Sequence, residues 1–151
     1  MMALPCDGVC PVKLPLPERK KLVYECLIPI RWGDLDAMGH VNNTVYFRYM
    51  ETARIEWFDA IGVKTDPHGV GPVIVNAFCN FHRSFTYPGT VRLRMYASDP
   101  GRSSFETWTE LELDGEPGVL YATGGATTVW TDSPAQKSAP LPDEMRQRVS
   151  A

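Results

Sequence analysis

The side chains best suited to chemistry in this 151-residue chain are concentrated in one short stretch. Two carboxylates, an imidazole and two amides fall within ten residues, contributed by Asp34, Asp36, His40, Asn42 and Asn43. Carboxylates and imidazoles are the usual general acids and bases of enzymes. Glycines at positions 33 and 39 interrupt regular structure around them. The stretch is therefore predicted to be a functional turn rather than a simple connection.

An amphipathic helical pattern follows this turn directly. At about 100° per residue, one broad face carries Tyr46, Tyr49, Met50, Ala53, Trp57, Ala60 and Ile61. Asn42 or Asn43 is a suitable N-cap, because an Asn side chain can accept from the free amides of the first turn. The turn thus leads into the positive end of a helix dipole, which favours an anion or a developing oxyanion.

The composition fits a single domain without nucleic-acid or membrane partners. The chain is 44% hydrophobic with a net charge of −3, so no global field favours nucleic acid or an anionic membrane. No apolar run approaches the length of a membrane span, and we expect a cytoplasmic protein. We expect a flexible arm at residues 1–20, a domain at 21–132, and a Pro-rich tail with a short helix at 133–151.

Alternating apolar residues predict five strands around the helix. The first is expected at residues 22–32, with Pro29 marking an edge, and the others at 73–85, 91–97, 105–113 and 119–131. Gly124 and Gly125 suggest a bulge in the last strand. The predicted order is a strand, the long helix, and then four strands in antiparallel hairpin succession. This is an α+β arrangement of two layers, with the sheet wrapped around the helix.

The motif of this stretch reads Asp34-Leu-Asp36-Ala-Met-Gly39-His40-Val-Asn42-Asn43, followed by Tyr46, Tyr49 and Glu51 in the helix. It resembles the signature of hotdog-fold acyl-CoA thioesterases of the 4-hydroxybenzoyl-CoA thioesterase-like family, over about residues 22–132. The resemblance implies an α+β hotdog fold, in which a five-stranded antiparallel sheet wraps one long central helix. It also implies hydrolysis of an acyl- or aroyl-CoA thioester to free acid and coenzyme A, with no cofactor and no metal. Members are dimers at minimum, often tetramers, with the active site between two subunits.

The resemblance also implies roles for individual residues. Asp36 matches the catalytic carboxylate, and a backbone amide near Asn43 matches the group that polarises the thioester carbonyl. Arg102, followed by Ser103, matches a turn that contacts coenzyme A phosphates in relatives. His40 is a third candidate for chemistry, since it could orient Asp36 or the thioester, or be a hydrogen-bonded structural histidine.

Four further residues of the motif are predicted to bind substrate: Gly39, Asn42, Tyr46 and Glu51. Glu51 has two other possible roles, an ion pair with Arg48 or Arg54 and a contact between subunits. Asp34 is expected to hold the turn or a nearby basic side chain. His82, in a predicted strand, is expected to be structural.

The chemistry of thioester hydrolysis agrees with these roles. It needs a donor aimed at the developing oxyanion, typically worth 10²–10³ in rate, and a carboxylate that attacks the carbonyl or activates water, worth about 10²–10⁴ as a general base. No Ser, Cys or His nucleophile with a matching partner stands out. The sequence leaves open whether Asp36 acts as nucleophile or base, and which acyl group is cleaved.

Three other functions can be compared with this pattern. A non-catalytic acyl-CoA-binding or regulatory module of the same fold could keep Asp36 for structure, as an Asx-turn residue. Hydratases of this fold pair an Asp with a His five positions later, a spacing that is missing here. A zinc hydrolase would crowd Asp34, Asp36 and His40 on one short turn, and Cys6 and Cys10 are weak metal candidates.

Overall fold

The computed structural model describes residues 14–151 and consists of one antiparallel sheet against one long helix. The strands are β1 (Lys21–Pro29), β2 (Val70–Phe81), β3 (Thr90–Ser98), β4 (Ser104–Leu113), β5 (Leu120–Asp132) and the two-residue β6 (Lys137–Ser138). The helices are α1 (Asn43–Ala60) and α2 (Asp143–Val149). The predicted α+β arrangement of a five-stranded sheet and a long helix is confirmed, with β6 added. Predictions for residues 1–13, including the cysteines at positions 6 and 10, lie outside the described residues.

The strands lie in the order β1-β3-β4-β5-β2, and β6 pairs with the end of β5. The predicted antiparallel neighbours β3–β4 and β4–β5 are present. The prediction that β2 and β3 form a hairpin is wrong, because β2 pairs with β5 whereas β3 pairs with β1. As a result β1, which ends at Pro29, and β2 are the two edges of the sheet, and Pro29 lies on an edge as predicted.

The chain turns sharply between β1 and the helix. The prediction that the first strand continues to Trp32 is wrong, since β1 ends at Pro29 and Trp32 is 76% exposed. The backbone N–H of Arg31 donates to Oδ2 of Asp34 at 2.9 Å, and this bond closes a one-turn 3-10 helix at Trp32–Asp34. A side-chain contact thus ends the strand before the pattern of alternation does.

Helix α1 covers the inner face of the sheet. Asn42 is its N-cap, as predicted, and its side chain accepts from the N–H of Thr44 at 2.9 Å. The predicted apolar face is correct through Trp57 but wrong at Ala60, which is exposed. Arg54 and Phe58, which the predicted face did not include, are buried instead. The buried residues of α1 are Tyr46, Tyr49, Met50, Ala53, Arg54, Trp57 and Phe58.

Gly124 and Gly125 lie in the inner strand β5, and Gly124 faces Met50 of α1. A Cβ at position 124 would lie 2.7 Å from Sδ of Met50 and 2.7 Å from the carbonyl oxygen of Phe78. The predicted bulge at these glycines is wrong, because β5 pairs with β2 and with β4 through both positions without a register shift. The absence of a side chain at Gly124 instead makes room for Met50 of α1, whereas a Cβ at Gly125 would meet the ring of Phe78 and the carbonyl oxygen of Thr107.

The C-terminal segment packs onto this framework. The short helix expected near 143–148 is present as α2, and its Met145 and Val149 belong to the buried core. The Arg146 side chain donates to the carbonyl oxygens of Gly101 and Arg102, at 2.8 and 3.3 Å. The turn between β3 and β4 is therefore held by α2. Neither helix within residues 14–151 has the length and apolar character needed to span a membrane.

Candidate active site

Asp36 begins a tight turn that fixes one of its carboxylate oxygens. Its Oδ1 accepts from the N–H of Met38 at 2.8 Å and from that of His40 at 3.3 Å. The turn closes because the N–H of Asp36 donates to the carbonyl of His40 at 2.8 Å and Gly39 adopts φ +76°, a left-handed conformation that favours glycine. Oδ2 of Asp36 has no hydrogen-bond partner among residues 14–151 and is left available for a substrate or water.

A second aspartate ties this turn to the helix. The carbonyl oxygen of Asp34 accepts from the N–H of Asn42 at 2.9 Å, and Oδ2 of Asp34 accepts from the hydroxyl of Tyr49 at 2.8 Å. Burial, and then the hydrogen bond to Asp34, raise the pKa of Tyr49, so the phenol stays a donor. Asp34 therefore holds the turn, which is one of the roles expected for it.

We expect Tyr49→Phe to lower stability by about 1–2 kcal/mol, because Asp34 loses a donor to its partly buried carboxylate. Turnover is expected to fall by less than it falls on changing Asp36, since the reacting groups remain while the turn loses an anchor. Urea unfolding and steady-state kinetics measure the two effects. Tyr24→Phe is the matched control, because the Tyr24 hydroxyl binds Glu56 at an exposed position. Equal losses in both variants would contradict the anchoring role.

A cavity of about 210 Å³ opens beside Asp36 at the N-terminal end of α1. The structure brings four of the predicted site residues together at its wall, namely Asp36, His40, Asn43 and Tyr46. The remaining wall comes from Val41 and from a segment that the sequence analysis did not assign to the site, Phe81, His82, Arg83 and Ser84. The helix N-terminus and the end of β2 therefore form one site.

The first backbone amide of α1 belongs to Asn43, which lines the cavity. The N–H of Asn43 has no acceptor among the described residues, since the cap side chain of Asn42 serves Thr44. The hydroxyl of Tyr46 is also occupied, accepting from the N–H of Phe85 at 3.1 Å and donating to the carbonyl of Arg83 at 3.3 Å. Burial raises the pKa of Tyr46. Asn43 thus offers a free donor, whereas Tyr46 forms a neutral wall.

His82 is the main residue that the sequence analysis did not place in the site. It lies one residue beyond β2, not within a strand as predicted, and its Nε2 is 3.1 Å from the hydroxyl of Thr123. Burial lowers the pKa of His82, which favours the neutral imidazole. The predicted strand ran on to residue 85 and so concealed that His82 follows the strand, where functional residues concentrate. The missing information was that this strand end lies next to the Asp36 turn.

Three predicted site residues lie away from the cavity in the single chain. Glu51 is on the flank of α1, where it pairs with Arg48 at 2.8 Å. Arg102 and Ser103 precede β4, whose first residue Ser104 pairs near the far end of β5. They are therefore at the opposite end of the sheet from Asp36. The guanidinium of Arg102 is exposed and has no partner among the described residues.

Other parts of the described structure are less suited to this chemistry. A cavity of about 320 Å³ lies at the other end of α1, but its one carboxylate, Glu144, is paired with Arg148 at 2.8 Å. Within residues 14–151 there is no group of three or more His, Cys, Asp or Glu side chains arranged to hold a metal ion. Of these two cavities, the one beside Asp36 combines a carboxylate oxygen and a backbone amide that are both without a partner among the described residues.

Comparison with known proteins gives the family. Residues 30–149 match the family model of the thioesterase-like superfamily. Among solved structures, the PA2801 protein from Pseudomonas aeruginosa, a proposed thioesterase, has a TM-score of 0.81 and 35% identity over 84% of this chain and 98% of that chain. A thioesterase from Thermus thermophilus, solved with coenzyme A and Zn, has a TM-score of 0.72 and 30% identity over 85% and 92% of the two chains.

Among curated sequences, the protein YsmA from Bacillus subtilis (strain 168) is 25% identical over 123 residues, which cover 81% of this chain and 82% of YsmA. The family match spans most of the chain and includes the Asp36 turn, α1 and the whole sheet from β2 onward. The hotdog fold and the resemblance to hotdog thioesterases are confirmed. This chain belongs to the thioesterase-like superfamily, and its reaction class is thioester hydrolysis.

Proposed function

We propose that this protein hydrolyses acyl- or aroyl-CoA thioesters to the free acid and coenzyme A. The observation that carries the proposal is the pairing of an open carboxylate oxygen on Asp36 with the free N–H of Asn43 beside one cavity. The coenzyme A bound to the similar Thermus thermophilus thioesterase supports the choice of a CoA ester. A helix N-terminal amide is a suitable donor to the oxyanion of a tetrahedral intermediate.

In this mechanism the thioester carbonyl points at the Asn43 amide. If Oδ2 of Asp36 attacks the carbonyl carbon, the C–S bond breaks, coenzyme A leaves as the thiolate, and water hydrolyses the mixed anhydride that remains. If Oδ2 instead takes a proton from the attacking water, the C–S bond of the tetrahedral intermediate breaks and the proton passes to the departing thiolate. The bonds to Oδ1 keep the carboxylate in one orientation, so little reorganisation is needed during reaction. Gly39 and Asn42 contribute by shaping the turn and the helix start. His40 borders the same cavity and is placed to orient Asp36 or the thioester.

The walls of the cavity suggest which acyl groups to test. The rings of Tyr46 and Phe81 meet edge to face, with centroids 5.0 Å apart, beside the reacting groups. Apolar aromatic walls suit an aroyl or a short acyl group. The decisive experiment measures thiol release from short-chain, long-chain and aromatic acyl-CoAs, with and without a chelator. Binding without release of coenzyme A would favour a non-catalytic module, and loss of turnover in chelator would favour a metal-dependent hydrolase.

We also propose that the protein is at least a dimer, formed by pairing of two sheets at their β2 edges, and that its dimers assemble into a tetramer. Strand β2 is twelve residues long and, among the described residues, is bonded on one side only, to β5. Residues 73–77 in its middle are all exposed and include the apolar side chains of Ile74 and Val75. Proteins usually cover such an edge, because its free N–H and C=O groups pair readily with another chain.

Sedimentation velocity over a range of protein concentrations tests the dimer. We expect the two-chain species to persist at the concentration used for the activity assay, because an exposed apolar edge strand favours association. Replacing Val75, which is 59% exposed, with Lys places a charge at this edge and is expected to weaken the dimer. A fully active monomer in the wild-type protein would refute the proposal.

A β2-paired dimer would also give Arg102 a role. Antiparallel pairing sets the end of β2 that borders the Asp36 cavity beside the beginning of the partner's β2. The turn that carries Arg102 is at that end of the partner's sheet, next to the end of β5. We therefore propose that Arg102, with Ser103, binds phosphate groups of a coenzyme A whose thioester lies in the other subunit.

We expect Arg102→Ala to raise KM more than it lowers kcat, because a contact to the remote nucleotide supplies mainly binding. The loss is expected to shrink with added salt, which screens an exposed charge. A truncated thioester without the nucleotide is the control, and its kinetics are expected to stay unchanged. Equal damage to full and truncated substrates would indicate a misfolded turn, and no damage to either would assign Arg102 to solvent.

A further inference from the structure

Arg54 is a largely buried cation whose guanidinium still reaches the surface of the described chain. It lies in the middle of α1 with 8% of its surface exposed, it forms no hydrogen bond or ion pair within residues 14–151, and none of its nitrogens is fully buried. Burial lowers its pKa, and the carboxylate that acts against this shift is Glu51, one turn earlier. A guanidinium in such largely apolar surroundings is stabilised by a carboxylate partner. No such partner binds it within residues 14–151, and a carboxylate from outside these residues can reach it.

The direction in which Arg54 faces follows from a contact on the opposite flank of the helix. Glu56 accepts from the hydroxyl of Tyr24 in β1 at 3.2 Å, so its flank faces the β1 edge of the sheet. At 3.6 residues per turn, Arg54 is about 160° away from Glu56. Since β1 and β2 are the two edges, Arg54 lies on the side of β2. Phe47, Glu51 and Phe58 share this flank.

The flank adjoins a part of the sheet that residues 14–151 leave uncovered. The middle of β2, residues 73–77, is exposed on both faces of the strand, although α1 lies over the neighbouring strands. Ile55, next to Arg54 on the helix, is 48% exposed. A second copy that paired with β2 would bring its own α1 beside this flank. Arg54 and the exposed edge of β2 therefore both favour the same partner, a second copy of this chain.

We propose that Arg54 and Glu51 form two reciprocal ion pairs across the two-fold axis of a dimer, an inference that rests on the β2-paired dimer proposed above. In a two-fold interface residue i of one copy meets residue j of the other, and j meets i. Two antiparallel α1 helices centred between Thr52 and Ala53 place Arg54 against the partner's Glu51. The same centre matches Phe47 with the partner's Phe58, so the flank is complementary to itself.

The present partner of Glu51 does not prevent this exchange. Arg48 and Glu51 are 2.8 Å apart, but their side chains are 72% and 48% exposed. An exposed ion pair of this kind contributes little to stability. A largely buried arginine gains more from an ion pair with a carboxylate, because its protein surroundings screen the attraction less than bulk water does. Glu51 can therefore bind the partner's Arg54 on dimerisation while Arg48 returns to water.

Charge reversal gives a direct test. Glu51→Arg sets two arginines against each other at both contacts of a homodimer, and Arg54→Glu sets two glutamates against each other. We expect each single variant to weaken the dimer on the order of 100-fold or more in Kd, because like charges meet at both contacts. A mixture of the two variants has opposite charges at both contacts and restores attraction at each of them. We expect it to form a heterodimer in clear preference to either homodimer.

The two variants are best co-expressed with different affinity tags. Recovery of both chains after two successive affinity purifications then reports the heterodimer, even where a single variant folds poorly alone. The Glu51→Arg/Arg54→Glu double variant is expected to regain the homodimer. Arg48→Ala is the matched control and is expected to leave Kd unchanged. A dimeric wild type whose single variants dimerise normally, or whose mixture shows no preference for the heterodimer, would overturn the reciprocal pairs alone. A monomeric wild type would refute the dimer itself, and thiol release would still report separately on the hydrolase.

Discussion

Asp36→Asn is expected to fold and to bind acyl-CoA while losing on the order of 100-fold or more in kcat. The amide keeps an oxygen that can accept from the N–H groups of Met38 and His40, so the turn is preserved. What is lost is the open carboxylate oxygen, which an amide replaces with a group that can neither attack nor take a proton. Asp36→Ala is expected to lose at least as much, since it removes the turn contacts as well.

The measurement is thiol release at saturating substrate, together with the equilibrium Kd for a non-hydrolysable analogue. Asp66→Asn is the matched control, because Oδ1 of Asp66 accepts from the N–H of His68 at 2.9 Å in a similar turn remote from the cavity. That variant is expected to retain full turnover. Near wild-type kcat in Asp36→Asn would remove Asp36 from the chemistry and return it to the role of a turn residue.

Gly124→Ala is expected to lower stability by about 1–3 kcal/mol, as overpacking of a well-filled core does. The new Cβ would be 2.7 Å from the sulfur of Met50 and 2.7 Å from the carbonyl oxygen of Phe78. Met50 is 1% exposed and its sulfur already accepts from the hydroxyl of Thr109, so the helix cannot yield without losing contacts. Urea midpoints measure the change. They are compared at one fixed protein concentration, because the apparent stability of an oligomer depends on concentration.

Gly33→Ala is the control for the loss of glycine flexibility. A Cβ at position 33 would meet nothing within 4 Å, and Gly33 has no positive φ. Its midpoint is expected to stay close to wild type. If Gly124→Ala were equally neutral, α1 would not be held against β5 as closely as the structure has it, and the reason for a glycine there would need another explanation.

The local features of this protein could be predicted from its sequence because neighbouring residues determine them. The Asx turn at Asp36, the N-cap at Asn42 and the helical period of residues 43–57 all depend on contacts a few positions apart. The alternation in β3 and β4 likewise needs only one buried face. The match of the turn and helix to a known signature then led to the family and to the fold.

Features that depend on which strands pair could not be predicted in the same way. Hairpin succession was a sound expectation for β3, β4 and β5, but the pairing of β2 with β5 joins residues about 40–60 positions apart, for which no local signal exists. The misplacement of β2 also hid the second wall of the site. Once β2 is beside β5, the segment of His82 lies next to Asp36, and Thr123 in β5 binds its imidazole.

The sequence by itself determined the reactive turn, the capped helix that follows it and the period of the strands, since short-range hydrogen bonds and burial on one face are enough to specify them. Only the tertiary structure decided that Gly124 makes room for Met50, that Arg54 is largely buried with no acceptor among residues 14–151, and that His82 lines the cavity. Each of these facts depends on the distance between elements far apart in the chain, which close packing in three dimensions sets.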